Sequence, residues 1–523
     1  MKKFLLIPLI YCLSACTSST YDIIIINGEI ADGTGKELFK SNIYIRNGKI
    51  IEIGNIENAI GKSILNAKGL VVAPGFIDMH THSERQSLDF PSVENYLQQG
   101  VTTMVGGNCG SSPYPISNFI KETQSKGIGP NLALLVGHNT VRKEIMGSEN
   151  RLATKSELEK MQLLIESAMD DGAFGMSTGL KYIPGAYSNT EEVVALASIV
   201  SQHGGIYSTH MREEGIGLLK STEEAINIGR ESKLPVNISH HKAVGKSMWG
   251  SSINTLNMID KARKDGIDVT ADQYPYTATS TGLTVVFPAW SLAGGTSKLN
   301  ERLDNPEQRQ KIKDQIVWNI VYDRGGGDPA SIVVANYPPN TTYNGMNLAE
   351  ITKSKGQRPT VENAAEVLMD LVYIGKGQGI YHCLNENDVE RIMSHPQVMH
   401  ASDGSTIEFG KAQPHPRSYG TYPRILGRYV REKGIISLAE SIRKMTGLPA
   451  SVLGLKDRGI VKNNYWADLV IFNPNKIIDN ATWEDPHQYP SGIDWVIING
   501  AIALDHGNCS KELYGKVLKH NEL

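Results

Sequence analysis

Eight short apolar runs recur between residues 74 and 455, and a helix-forming stretch follows most of them. The runs read FIDMHTH, VTTMVGGNCG, NLALLVGHN, GAFGMSTGL, GGIYSTHMR, PVNISHHK, DVTADQYPY and VMHASDG. Segments 156–171, 190–203 and 215–232 between them carry helix formers with charged faces. Strand then helix, eight times over, is the sequence appearance of an α/β fold, a (β/α)8 TIM-like barrel. The constraint is strong, because every strand of such a barrel ends at the same rim. One interval breaks the rhythm. Residues 277–397, between the seventh and eighth runs, exceed what one barrel unit needs. An inserted subdomain is therefore expected after strand seven, at about residues 287–343.

Both ends of the chain differ from this middle. YDIIIINGEIADG and SNIYIRNGKIIEIG near the start, and residues 458–474 and 494–507 near the end, are short β-type runs. Asn-Gly at 27–28 and 47–48 reads as tight turns, and the pair recurs before the last β-run. The simplest reading is one small β-sandwich domain built from residues 21–73 and 456–523, beside a barrel of residues 74–455. The first residues are different in kind. Lys2 and Lys3 precede an apolar run, residues 4–13, too short to span a bilayer, and Ser14, Ala15 and Cys16 close it. The pattern resembles a bacterial lipoprotein signal. That resemblance implies a signal peptide over residues 1–15, lipid on the Cys16 thiol and a tether over residues 16–20. The expected location is the periplasm or cell envelope, with membrane contact through the anchor only.

A net charge of −3 over 523 residues leaves no basic field for nucleic acid, so a small-molecule partner is expected. Of five cysteines, Cys12 and Cys16 belong to the leader and anchor, leaving Cys109, Cys383 and Cys509. Three is odd, so at least one thiol stays free, and metal ligation is one reason for it.

Polar residues collect where the apolar runs end: His80 and His82 after the first, Cys109 after the second, His210 after the fifth, His240 and His241 after the sixth, and Asp403 after the eighth. In an extended strand His80 and His82 face one side, about 7 Å apart. Singly each residue has a plain structural reading: a buried thiol, a helix cap, a core imidazole. Their shared rim is what argues for a metal site. Imidazole, thiolate and carboxylate together suit zinc with a position left open for water. A bound divalent ion lowers the pKa of its water from about 15.7 toward 7, and Asp403 is then placed to carry a proton to a leaving nitrogen. Hydrolysis of a carbonyl or phosphoryl compound is the expected class. Lys242, Tyr274, Tyr276, Ser280 and Arg417 make a reasonable carboxylate receptor; the alternative is surface charges and packing tyrosines.

With these motifs in hand, the chain resembles the amidohydrolase superfamily and, within it, the N-acyl-D-amino-acid deacylase (D-aminoacylase) family. The likeness runs through PGFIDMHTH, GGNCG, GHN, GAFGMSTGLKYIPGAYS, STHMREEG, ISHHKAVG, DQYPYTATST, ASDG, HPRSYGTYPR and ADLVIFNP. It implies one tightly held zinc on Cys109, His210 and His240. It implies a second, weaker metal position on His80, His82 and Asp403, with the Cys109 sulfur between the two. Asp403 is implied as general acid/base, and Lys242, Tyr274, Ser280 and Arg417 as holders of the substrate carboxylate. His138 is implied near the reacting carbonyl. The activity implied is zinc-dependent hydrolysis of the amide bond of N-acyl-D-amino acids. Competing readings are a cyclic-amide hydrolase of hydantoinase or dihydroorotase type, a D-residue dipeptidase and, from another class, a non-catalytic binding lipoprotein. Against the cyclic-amide reading, Cys109 stands where a metal-bridging lysine would be required.

Overall fold

The computed structural model describes residues 20–522. The expected signal peptide, the lipid site at Cys16 and all but the last residue of the tether lie outside the described residues. Thr20 already belongs to a strand, Thr20–Ile30. Among the described residues no helix is long and apolar enough to cross a membrane.

Both chain ends contribute to one nine-stranded sheet. Its seam is the antiparallel pair Val71–Pro74 and Leu469–Phe472, which joins the N-terminal strands to the C-terminal ones. Ile23, Ile25, Ile43, Ile45, Val72, Leu469, Ile471 and Ile497 are all buried in a single cluster, so the sheet folds over its own apolar face. Asn47 and Gly48, both at positive φ, turn the hairpin between Phe39–Arg46 and Lys49–Gly54. The other early Asn-Gly is a correction. Residues 27–28 make no turn but a bulge inside Thr20–Ile30, where the register shifts between Ile25 and Gly28. Asn27 takes φ 63°, and a Cβ on Gly28 would fall 2.6 Å from Val72, so close packing rather than chain reversal requires the glycine.

The middle of the chain holds eight parallel strands: β1 (Phe76–Asp78), β2 (Val101–Gly106), β3 (Asn131–Leu134, resuming at Val136–Gly137), β4 (Gly175–Gly179), β5 (Ile206–His210), β6 (Val236–Ile238), β7 (Val269–Gln273) and β8 (Val398–His400). Each pairs with the next. Beyond the ends of β8 and β1, a parallel bridge between Thr81 and Gly404 joins last to first, with Asp403 N donating to His80 O at 2.8 Å. Ile77, Met79, Val105, Ala133, Phe174, Ile206, Met399 and Ala401 fill the interior of this ring. Helices cover the outside. Lys155–Asp170 is typical: Thr154 and Glu157 form a reciprocal capping box, and Met161, Ile165, Ala168 and Met169 supply one buried face.

After β7 the chain leaves the ring for a three-stranded antiparallel sheet, Thr279–Gly282, Gln378–Tyr381 and Ile332–Asn336. Helices Gly295–Asp304, Pro306–Tyr322, Leu348–Ser354 and Val361–Ile374 pack on it with a core of their own, including Leu283, Ile312, Ile316, Val334 and Leu368. The excursion is wider than the expected 287–343. Its central strand is Gln378–Tyr381, and a pairing across about a hundred residues leaves no local trace in the sequence.

Candidate metal centre and active site

The polar ends of the ring strands open into a cavity of about 790 Å3. Cys109, just past β2, is its focus. Its Sγ lies 3.3 Å from His80 Nε2, 3.4 Å from His240 Nε2 and 3.7 Å from His210 Nδ1. A tetrahedral zinc with Zn–S near 2.3 Å and Zn–N near 2.05 Å sets sulfur and nitrogen roughly 3.5 Å apart. The thiol and imidazoles therefore already stand at ligand spacing. His210 Nδ1 and His240 Nε2 are 2.8 Å apart, a few tenths of an ångström closer than an ion between them allows. Burial pushes the Cys109 thiol up, but His80 and His240, with hydrogen bonds from His210 and His240, bring it well below the usual thiol range. A buried thiolate among imidazoles is a zinc donor set, and the residues fit the ion.

Three of the site's residues also share a backbone feature. Cys109, His240 and Asp403 all take positive φ, at 52°, 37° and 50°. Such conformations cost about 1–3 kcal/mol each in non-glycine residues and persist where surrounding structure imposes them. At Cys109 the imposition is visible: a Cβ on Gly179, at the end of β4, would lie 2.2 Å from the Cys109 carbonyl oxygen. The glycine of the Ser-Thr-Gly-Leu motif is thus the space into which the cysteine turn fits.

His80, His82 and Asp403 form a second group. Asp403 Oδ1 is 3.1 Å from His82 Nε2 and 3.5 Å from His80 Nε2. The two histidines do not stand about 7 Å apart as in a strand. β1 ends at Asp78, the chain bends toward Gly404, and the rings approach to 5.3 Å between centroids. Burial raises the Asp403 carboxyl, but Arg417, His240 and His80 outweigh it and hold the group well below the usual range. Arg417 Nη1 is 2.8 Å from Asp403 Oδ2, and its guanidinium lies over the Tyr274 ring at 4.7 Å. Lys242 Nζ lies 5.7 Å from the same ring centroid. Ser280 lines the cavity on the first strand of the insertion, and its carbonyl accepts from Arg417 Nη2 at 3.3 Å.

Three sequence expectations are redirected. His138 is fully buried with Nε2 2.8 Å from Glu192, which also binds Arg142, so it belongs to an ion-paired cluster under the helix layer and not to the cavity wall. Its neighbours Asn139 and Thr140 line the cavity instead. The cause is that β3 ends at Gly137 and His138 opens a helix, which swings its side chain outward. His241 likewise faces the helices, 2.8 Å from Thr255 Oγ1, while His240 faces Cys109. Tyr276 packs against His415 and Arg424 and takes no place in the cavity wall.

The structure adds residues that the motif reading passed over. Asp272, inside β7, lies 3.5 Å from His80 Nδ1 and accepts from the His240 amide at 2.7 Å. Glu214 is buried beneath His210 and His240 and contacts Lys242 and Arg324. A carboxylate four residues past the histidine of STHMREEG was the available sign. Arg324 had none, since it arrives from the insertion. Cys383 and Cys509 are free thiols and do not line the cavity.

The similarities to known proteins run along the same lines. A model of the amidohydrolase family matches residues 63–291 and 363–504. The chain is 34% identical to D-aminoacylase of Alcaligenes xylosoxydans xylosoxydans, over 97% of this chain and 99% of that one. Two solved structures cover it nearly end to end. One is N-acyl-D-glutamate deacylase from Bordetella bronchiseptica complexed with zinc and a phosphonate mimic of the tetrahedral intermediate. It is 31% identical, covers 96% of this chain and 100% of its own, and has a TM-score of 0.81. The other is a D-aminoacylase described by the functional role of its binuclear metal center, 32% identical, covering 95% and 100%, with a TM-score of 0.82. With a cysteine-centred site and likeness extending over nearly the whole of both chains, the protein belongs to the amidohydrolase family, in its N-acyl-D-amino-acid deacylase branch.

Proposed function

We propose that the chain is a zinc-dependent deacylase that hydrolyses the amide bond of N-acyl-D-amino acids. The observation that carries this reading is the coexistence in one cavity of a thiolate-centred donor set and a cationic receptor, with Asp403 common to both. Its framework is read as a (β/α)8 barrel flanked by a β-sandwich from both chain ends and an insertion after strand seven. Cys109, His210 and His240 would hold the tight zinc, and His80, His82 and Asp403 a weaker second ion. Zinc bound there supplies Lewis-acid polarisation of the scissile carbonyl and acidifies a water toward neutral pH.

The protein's own groups do the rest. Asp403, ionised by its cationic neighbours, accepts a proton from the attacking water and delivers it to the leaving nitrogen. In the resting arrangement Arg417 faces Asp403 Oδ2 through Nη1 and the Ser280 carbonyl through Nη2. An arriving substrate carboxylate, received between Arg417, Lys242 and the Tyr274 ring, takes those donors over and leaves Asp403 a stronger base at the moment it is needed. Walls from the insertion and the 405–414 loop line the cavity around these groups.

Purified protein supplied with zinc is assayed on N-acetyl-D- and N-acetyl-L-amino acids, D-containing dipeptides, hydantoin and dihydropyrimidine. Release of free D-amino acid from the N-acyl series supports the reading. Ring opening with the N-acyl-D series untouched replaces it with a cyclic-amide hydrolase. For the leader, we read residues 1–15 as a lipoprotein signal peptide with the anchor on Cys16. Cells fed radiolabelled palmitate label the wild-type chain, and a Cys16→Ser chain that labels equally overturns that reading.

A further inference from the structure

Glu214 is 1% exposed and sits at the floor of the cavity, behind the histidines. Its two oxygens divide four partners evenly. Oε1 lies 3.1 Å from His240 Nδ1 and hydrogen-bonds Lys242 Nζ. Oε2 lies 3.5 Å from His210 Nε2 and 3.2 Å from Arg324 Nη2. Each oxygen thus serves one imidazole and one cation. The imidazole atoms it meets are the outer ones, because Nε2 of His240 and Nδ1 of His210 face Cys109. A carboxylate on the outer nitrogen of a ligating histidine fixes its tautomer, aims the ring and makes the inner nitrogen a better donor. Here one carboxylate faces the outer nitrogens of both histidines, at 3.1 Å for His240 and at 3.5 Å, outside hydrogen-bond geometry, for His210.

We propose that Glu214 is a positioning residue that joins the metal histidines to the substrate-binding Lys242, with Arg324 of the insertion as its anchor. This rests on the zinc and carboxylate-receptor reading above. Lys242 Nζ also lies 2.6 Å from His240 Nδ1. Both groups meet Glu214 Oε1, so removing its charge takes away the anion that Lys242 and His240 share. Glu214 lets both point into the cavity together. Arg324 reaches it from just past helix Pro306–Tyr322, so the insertion completes the floor of the site as well as its wall.

The test is Glu214→Gln, which keeps the shape and removes the charge, leaving an NH2 group facing donors on one side. Zinc affinity is measured by competition with a chelating dye, KM for a turned-over N-acyl-D-amino acid is measured at saturating zinc, and folding is followed by melting temperature. The expected result is zinc binding weakened roughly 10- to 100-fold and KM raised at least about tenfold, since Lys242 loses its partner. Glu122→Gln is the control and leaves both unchanged, because Glu122 is exposed and pairs only with Lys126 one turn along its own helix. Wild-type zinc affinity and KM in Glu214→Gln overturn the proposal. Should Glu214→Gln fail to fold, Arg324→Gln decides: zinc binding weakened at least threefold supports the role, and unchanged binding overturns it. Wild-type protein that holds no stoichiometric zinc, or leaves N-acyl-D-amino acids intact, overturns the underlying reading instead.

Discussion

Replacing Arg417 by methionine tests the carboxylate receptor directly. The guanidinium is 5% exposed, 2.8 Å from Asp403 Oδ2, 4.7 Å from the Tyr274 ring and 3.3 Å from the Ser280 carbonyl, so it is held on three sides. Methionine roughly preserves the stem and removes every donor. Truncating one partner of a buried, hydrogen-bonded charge pair costs about 2–5 kcal/mol. At 1.4 kcal/mol per tenfold, KM should rise by about 30- to several-thousand-fold. Zinc content should hold, because Arg417 is none of the donors. The assay pairs each N-acetyl-D-amino acid with its carboxamide, which has no anion to offer. Wild type should prefer the acid strongly, and Arg417→Met should lose most of that preference by losing the acid, not by gaining the amide. Arg417→Lys should lie between them, since it keeps the charge and gives up the planar fork. An Arg417→Met enzyme with KM within threefold of wild type, or with its preference for the acid intact, would refute the reasoning.

Asp403→Asn keeps the side-chain volume but cannot accept a proton, so turnover should fall by at least about a hundredfold while zinc, measured by metal analysis, stays bound at Cys109, His210 and His240. Gly179→Ala drives a methyl toward the Cys109 carbonyl, and since backbone cannot yield there cheaply, zinc should be lost to a chelator more readily than from wild type. Lys444 is buried between the Met393 and His395 carbonyls, and burial lowers its amine to about 7. The unfolded chain then binds more protons than the folded one between about pH 7 and 10.5, so this group makes stability rise with pH in that window, by up to about 1.4 kcal/mol per unit. Chemical denaturation of Lys444→Met from pH 7 to 9 should show that rise diminished relative to wild type. Equal slopes would mean the amine stays charged in the fold.

Much of the architecture is legible because it is written in short-range patterns. Eight apolar runs with helical stretches between them correspond to β1–β8, since period and length are local properties. The metal histidines, Cys109 and Asp403 are legible because strand ends of a ring share a rim. What failed did so where a side chain's direction depends on where a strand stops. His138 looked like a rim residue, but β3 ends one position before it, and the helix start turns it toward Glu192.

The amino-acid sequence by itself placed Cys109, the histidines and Asp403 at successive strand ends, because that placement follows from residue type and local period. Only the tertiary structure decided two things. It bent the chain past β1 so that His80 and His82 meet across Asp403, and brought Glu214 and Arg324, 110 residues apart, into one ion pair beneath His210 and His240. The physical reason is common to both. Each depends on contacts between segments far apart in the chain, whose geometry is set by packing and by buried charge seeking its partner, and neither leaves a mark on the residues nearby.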